Sequence, residues 1–196
     1  NCYGNRWPKP LGHTAARSGE SKWITGLAAR RHTHRLRAYA DAVLVGVGTV
    51  LADDPELTVR LVRGRDPLRV VLDSKLRTPV RAKLVAGARE VRTLIFHAPA
   101  ASPARARKLA AAGVELASVR AGGQGLDLPS VLRALAQRDV VRVLVEGGSR
   151  VHGALLEAGL ADAAAIFVAP RILGDVRGLP LAQIDRTNVG RLTLAW

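Results

Sequence analysis

Glu146 and the two glycines that follow it are the residues whose types and spacing point most directly to chemistry. Glycines let the main chain approach an anion closely, and the N–H groups and dipole at a helix start favour negative charge. A helical pattern begins at Ser149, directly after these glycines. A carboxylate at the end of an apolar strand is costly to leave unpaired, so Glu146 either forms a salt bridge or accepts hydrogen bonds from a ligand. The segment therefore indicates a phosphate-binding turn or, as the alternative, a tight connection between strand and helix.

A second apolar run also ends in glycines, at Gly46 and Gly48. The dinucleotide fingerprint G-x-G-x-x-G is incomplete here, because Leu51 stands where its third glycine would be. Asp53 and Asp54 follow, and two carboxylates could bind Mg²⁺. The absence of further carboxylates at nearby spacing favours their use in a turn or a helix cap.

Arginines and an indole are further candidates for ligand contacts. Arg37 and Arg60 could each grip a phosphate through two N–H groups, or remain solvated at the surface. Trp23 lies in a polar turn before a helix for which Thr25 is a candidate N-cap, and its ring could lie against a flat heterocycle or anchor the core. Four histidines lack metal-ligand spacing and receive no role: His32, His34, His97 and His152.

Alternating strand and helix patterns must position these groups. Short apolar or β-branched runs predict strands, and helical patterns with capping signals such as Ser102 before Pro103 lie between them. This alternation predicts an α/β fold with a mostly parallel sheet and helices on both faces, whose ligands bind at the carboxyl ends of the strands. The glycine-rich segment 122–125 is interpreted as a plain connector. The predicted strands are 42–47, 69–72, 92–96, 140–145 and 164–168, and the predicted helices are 25–39, 103–112, 129–137 and 149–158.

Length and composition bound the class of protein. The 196 residues, of which 48% are hydrophobic, predict a single domain with one substantial core. No apolar run reaches the roughly 18 residues of a membrane span, and no secretory signal is evident, which predicts a cytoplasmic protein. The single cysteine, Cys2, excludes an internal disulfide. The net charge of +14 comes from scattered arginines without interleaved aromatics, and this favours a phosphate-bearing small ligand over nucleic acid.

In order along the chain, these segments resemble the C-terminal reductase domain of bacterial riboflavin-biosynthesis deaminase-reductases, within the dihydrofolate-reductase-like superfamily. Any one segment would be weak, but the ordered set is specific. The matching segments are Ser18 to Thr25, Arg35 to Ala38, Asp41 to Gly46, Thr49 to Pro55, Leu57 to Arg60, Val71 to Ser74, Val145 to Gly148 and Ile172 to Gly174.

The resemblance implies an activity and a set of site residues. The activity is NADPH-dependent reduction of 5-amino-6-(5-phosphoribosylamino)uracil to its ribitylamino form, with hydride delivered to the C1 carbon of the sugar and no metal required. The resemblance assigns no catalytic residue. It implies a homodimer, the usual assembly in the family. The implied substrate contacts are Ser21, Arg37, Leu57, Arg60 and Glu146, with the arginines holding the phosphate. The implied NADPH contacts are Trp23, Thr49, Asp53, Ser74 and a turn made of Gly148, Ser149, Arg150, Val151, His152, Gly153 and Ala154.

The N-terminal segment departs from the family pattern. Members carry a strand and Ser-Leu-Asp-Gly before Thr14, whereas this chain has Lys9-Pro10-Leu11-Gly12, and Pro8 and Pro10 cannot donate to a sheet ladder. Residues 1–13 are therefore expected to be atypical, at a fragment edge or frame break, and residues 14–196 to form a reductase domain without its first and last strands. The zinc motifs of a deaminase are absent, so deamination is not predicted for this chain. The resemblance allows a deaminase domain, fused or separate, as a partner. A related reductase with another substrate and a non-catalytic remnant are the alternative interpretations.

Overall fold

The computed structural model describes residues 26–123, 125–165 and 167. Two units divide the chain, one of residues 31–161 and one of residues 1–30 with 162–196. In the second unit the described residues are 26–30, in which a helix begins, and 162–165 with 167, which form no helix or strand. In chain order the elements are α1 (Leu27–Tyr39), β1 (Ala42–Gly46), α2 (Val47–Asp53), β2 (Leu68–Leu72), α3 (Lys83–Ala86), β3 (Thr93–His97), α4 (Pro103–Ala111), β4 (Glu115–Ser118), β5 (Ala121–Gly122), β6 (Gly125–Leu126), α5 (Leu128–Ala136), β7 (Val143–Gly147) and α6 (Ser149–Glu157).

Five parallel strands form the sheet, in the order β4-β3-β2-β1-β7. Every residue of β1 is buried, and this strand pairs with β2 on one side and with β7 on the other. Gly46 at the end of β1 lies opposite Leu72, and Val45 lies opposite Gly147. The carboxyl ends of β1, β2 and β7 therefore form one continuous edge, as the predicted α/β fold requires.

Two apolar clusters cover the two faces of the sheet, because alternate residues of a strand point to opposite faces. Val43 and Val45 pack on one face, together with Leu109 of α4 and residues of α3. Ala42 and Leu44 pack on the other face with α5. This double burial explains why the strands are continuous apolar runs rather than alternating ones. The prediction of helices on both faces is confirmed.

Side-chain caps start two of the helices. The Ser102 hydroxyl accepts a hydrogen bond from Arg105 N at 3.5 Å, which confirms the cap predicted for α4. The Asp127 carboxylate accepts from Ser130 N at 3.0 Å at the start of α5. Hydrogen bonds from Ser130 and from Arg120 lower the pKa of Asp127 to about 2.

Several predicted boundaries were wrong. The segment 122–125 is not a plain connector, since β5 and β6 pair there as an antiparallel hairpin. The strand predicted at 140–145 begins only at Val143, because the Asp41 carboxylate takes the N–H groups of Val141 and Arg142 at 3.2 and 2.9 Å. The elements α2, α3 and β4 were not predicted. In the strand predicted at 164–168, residues 164, 165 and 167 form no strand, and 166 and 168 lie outside the described residues.

The predictions for Thr25, for residues 1–13 and for the missing first and last strands also fall outside the described residues. Within the described part of the chain, no helix is long and apolar enough to cross a membrane.

Candidate functional site

The two glycine-ended strands predicted to bind a ligand lie side by side and touch. A Cβ atom added at Gly147 would lie 2.6 Å from Thr49 Oγ1, so only a glycine fits against the Thr49 side chain. A Cβ at Gly46 would lie 3.0 Å from a methyl group of Val151. Gly148 adopts a positive φ of 91°, a conformation that side chains disfavour. The fold therefore brings Thr49 and the start of α6, two of the predicted cofactor segments, into one glycine-lined cradle.

The amino end of α6 opens into this cradle. Its N-cap is Gly148, which supplies no side-chain cap, while Val151 N and His152 N both donate to Gly148 O at 2.9 and 3.1 Å. The N–H groups of Ser149 and Arg150 precede these bonds, and no side chain among the described residues caps them. Backbone N–H groups at a helix start are donors for an anion.

The segment from Gly148 to Ala154 is mostly helix rather than an open turn. Residues from Ser149 onward belong to α6, so the N–H groups of Gly153 and Ala154 lie within the helix. The His152 ring is also engaged, with Nε2 3.2 Å from Val145 O. Only the first part of the predicted cofactor turn therefore has main-chain donors to offer.

Glu146, the last residue before the glycines, forms a two-point ion pair with Arg37. Arg37 Nε and Nη2 donate to the two carboxylate oxygens, each at 2.6 Å. The two side chains are only 12% and 10% exposed, respectively. Arg37 Nη1 donates to Thr58 O at 2.8 Å, so three of the five N–H groups of this guanidinium are in use. Of the two outcomes open for Glu146, the salt bridge is the one formed.

Residues 54–60, here the 54–60 loop, connect α2 to the segment before β2 and are held at successive backbone groups. Asp54 adopts a positive φ of 42° at the end of α2, and its carboxylate accepts from Lys83 N at 2.9 Å at the start of α3. This is the capping role expected for the Asp53-Asp54 pair, and among the described residues no cluster of three metal-ligating side chains occurs. Asp53 itself is exposed.

The later residues of the 54–60 loop are fixed from α1 and from the chain that follows. Val59 N donates to the Asp66 carboxylate at 2.6 Å, and Arg60 N donates to His34 Nδ1 at 3.0 Å. Between them and Asp54 lies Leu57, which is 2% exposed and has a positive φ of 56°. Such a backbone is strained for leucine and persists only where its surroundings hold it. The backbone of the loop is therefore held at several successive positions beside the site.

A buried arginine that no sequence motif indicates supports the same loop. Arg69, within β2, is 2% exposed, and burial lowers the pKa of its guanidinium. It donates to Glu56 O at 3.3 Å, and to Gly87 O and Val91 O at 2.9 and 2.6 Å. A buried cation held by carbonyl oxygens is expensive, and here it fixes the peptide next to Leu57. The signal that could have revealed it is a lone charge inside an apolar strand.

Two further predicted contacts, Arg60 and Ser74, lie outside the contact between Thr49 and Gly147. The Arg60 side chain is 51% exposed, donates to Thr58 Oγ1 at 2.9 Å and pairs with Glu56. Ser74 follows β2, and its carbonyl accepts from Ala98 N at 3.1 Å. The structure thus brings Arg37, Glu146, Thr49 and the start of α6 together directly. The predicted contacts Ser21 and Trp23 lie outside the described residues.

The family model described as the RibD C-terminal domain matches residues 12–194. Riboflavin biosynthesis protein RibD of Aquifex aeolicus is 37% identical over 186 residues, covering 94% of this chain and 50% of the relative. The protein of the same name from Mycobacterium tuberculosis is 38% identical over 190 residues, covering 94% of this chain and 45% of the relative. The chain spans about half the length of the curated relatives it matches.

Solved structures of RibD proteins also resemble this chain. One form of Acinetobacter baumannii RibD superposes with a TM-score of 0.64 at 30% identity, covering 89% of this chain and 49% of that one. A Thermotoga maritima protein described as a diaminohydroxyphosphoribosylaminopyrimidine deaminase/5-amino-6-(5-phosphoribosylamino)uracil reductase superposes with a TM-score of 0.59 at 37% identity. This match covers 75% of this chain and 38% of the Thermotoga maritima protein.

Proposed function

The chain belongs to the RibD C-terminal domain family, and from this premise we propose that it reduces 5-amino-6-(5-phosphoribosylamino)uracil to the ribitylamino form with NADPH. The observation that carries the proposal is the contact of Thr49, in the helix that follows β1, with Gly147 at the end of β7, beside Glu146. The glycines that end β1 and β7 suit a ligand that must approach the main chain closely.

We propose a nicotinamide cofactor bound across the carboxyl ends of the sheet, and NADPH in particular. The residues present fit such a group, because glycines end both β1 and β7 and the start of α6 offers N–H groups for a pyrophosphate. Thr49, Asp53 and Ser74 would contact it, together with the segment from Gly148 to Ala154, and Trp23 would complete the set. When bound, the cofactor supplies the hydride, and the protein supplies position and electrostatics.

We propose that the substrate lies between the 54–60 loop and Glu146. The Glu146 carboxylate, oriented by Arg37, would accept N–H groups of the pyrimidine. The side chain of Leu57 is buried in the core, so this residue would contact the ring through its main chain. Arg60, half exposed, has a guanidinium suited to the substrate phosphate. Arg37 stays in the proposed substrate set, although its bonds to Glu146 and Thr58 suit it first to orienting that carboxylate. Ser21 belongs to the set by resemblance.

The proposal also includes partners and location. The relatives are about twice as long as the matched region, and the Thermotoga maritima protein is described with a deaminase activity as well. We propose that a deaminase domain, fused or separate, supplies the substrate, and that the reductase acts as a cytoplasmic homodimer. No nucleic-acid or membrane partner and no metal is proposed.

Adding NADPH should raise the melting temperature of the chain. A ligand at a hundred times its dissociation constant adds about 2.7 kcal/mol to the free energy of unfolding, which is about 5–10 °C for a chain of this size. Thermal unfolding at a series of NADPH concentrations measures the shift, with adenosine as the control that lacks phosphates. A melting temperature that does not respond to saturating NADPH would contradict the proposed cofactor.

A further inference from the structure

His34 is a buried imidazole that the proposed function does not use. It lies on α1, is 7% exposed, and is three residues before Arg37, so both side chains leave the same face of the helix. We propose that His34, in its neutral form, is a positioning residue that holds the main chain of Arg60 and thereby the phosphate end of the substrate site. This inference rests on the proposed function.

The two α1 side chains grip the 54–60 loop in parallel. Arg37 Nη1 donates to the carbonyl of Thr58, and His34 Nδ1 accepts from the N–H of Arg60, two residues further along. The loop thus offers one carbonyl acceptor, at Thr58, and one N–H donor, at Arg60. The same face of α1 supplies the matching donor from Arg37 and the matching acceptor from His34. The Arg60 main chain is therefore fixed relative to Arg37, and through it relative to Glu146.

This hydrogen bond requires the neutral ring. A ring nitrogen accepts a hydrogen bond only when it carries no proton, so the proton of the neutral ring must be on Nε2. Protonation of Nδ1 would turn an acceptor into a donor that faces the Arg60 N–H, and the contact would be lost. The binding of a phosphorylated substrate should then become sensitive to pH through a residue that does not touch the substrate.

The groups around His34 oppose its protonation. Burial lowers its pKa most, and the neighbouring guanidinium groups of Arg37, on α1, and Arg60, on the loop, lower it further. Glu146 of β7 acts in the opposite direction. Because the folded pKa lies below the ordinary value of 6.5, the contact is fully present above pH 6.5 and is lost as the pH falls through the folded pKa.

The test compares the chain with His34→Asn and His34→Leu. The asparagine amide oxygen reaches about the place of Nδ1, accepts a hydrogen bond and does not titrate, whereas leucine fills the space without an acceptor. We expect KM for the phosphorylated substrate in His34→Leu to rise about tenfold at neutral pH, or about 1.4 kcal/mol, the scale of one hydrogen bond, with kcat little changed. His34→Asn should restore most of the affinity.

The pH profile separates this role from a merely structural one. In the unsubstituted chain, KM should rise more steeply below pH 6.5 than in His34→Asn, and the comparison cancels the titration of the substrate's own phosphate. An equal pH dependence in the two proteins would overturn the inference.

A second readout does not depend on turnover. The backbone amide resonance of Arg60 should titrate together with the His34 ring in NMR spectra, and should stay constant over the same range in His34→Asn. If Arg60 does not respond, His34 does not hold it, whatever the activity. If Arg60 responds but no phosphorylated pyrimidine binds, the proposed function fails while the contact stands.

Discussion

Replacing Glu146 with alanine should lower the free energy of unfolding by about 3–5 kcal/mol, because the Arg37 guanidinium would stay buried without its carboxylate. The two side chains are largely buried, at 12% and 10% exposed, and the pair is held at two points of 2.6 Å each. The pair also joins α1 to β7 and, through Thr58, to the 54–60 loop. The loss should therefore disturb both the stability and the substrate site.

Urea denaturation of four proteins measures this effect: the unsubstituted chain, Glu146→Ala, Arg37→Met and the double variant. Removal of both charges should be less harmful than the sum of the single changes, since no buried ion is then left alone. Arg92→Ala is the matched control, because Arg92 is 74% exposed in its pair with Glu115 and should contribute less than about 1 kcal/mol. A loss for Glu146→Ala as small as that for Arg92→Ala would show that the pair is not buried in solution.

Gly147→Ala should weaken NADPH binding by at least tenfold, about 1.4 kcal/mol. The added Cβ would lie 2.6 Å from Thr49 Oγ1 and 2.9 Å from its methyl group, so Thr49 must move out of the cradle. Overpacking of this kind also costs about 1–3 kcal/mol of stability. Both effects have one cause, the close contact between Gly147 at the end of β7 and Thr49 of α2.

Titration calorimetry with NADPH measures the affinity, and two further variants isolate the cause. Gly123→Ala is the control, since an added Cβ there has no atom within 4 Å, and it should bind NADPH normally. Thr49→Ala combined with Gly147→Ala restores space, and should recover the stability that Gly147→Ala loses. Unchanged NADPH affinity in a folded Gly147→Ala protein would mean that the cofactor does not use this cradle.

The α/β fold could be predicted because its strands are buried on both faces and appear as continuous apolar runs. The edge strand β4 could not, since Glu115–Ser118 is only partly buried and half polar. The helix α2 could not be predicted for a different reason: Gly46 and Gly48 form an incomplete dinucleotide fingerprint, which does not indicate that Val47 begins a helix directly. Local composition does not distinguish these outcomes.

The candidate site was predictable in its residue types but not in its pairings. Glu146 at a strand end required a partner, but its partner Arg37 lies 109 residues away, and no local spacing identifies it. The spacing of His34 bears only on metal binding, and the hydrogen bond that its ring accepts comes from Arg60 N, 26 residues away. Arg69 seemed an ordinary strand residue, and only the folded chain shows that its guanidinium holds Glu56 O. Long-range hydrogen bonds determine which residues pair, and a periodic sequence pattern does not reveal these pairings.

The most direct test of the proposed function is a reduction assay with NADPH deuterated at the nicotinamide C4 and 5-amino-6-(5-phosphoribosylamino)uracil. The proposal predicts oxidation of NADPH only when the pyrimidine is present, with one cofactor consumed per ribitylamino product and deuterium at the former C1 of the sugar. Binding of both ligands by the folded chain without any oxidation of NADPH would contradict it.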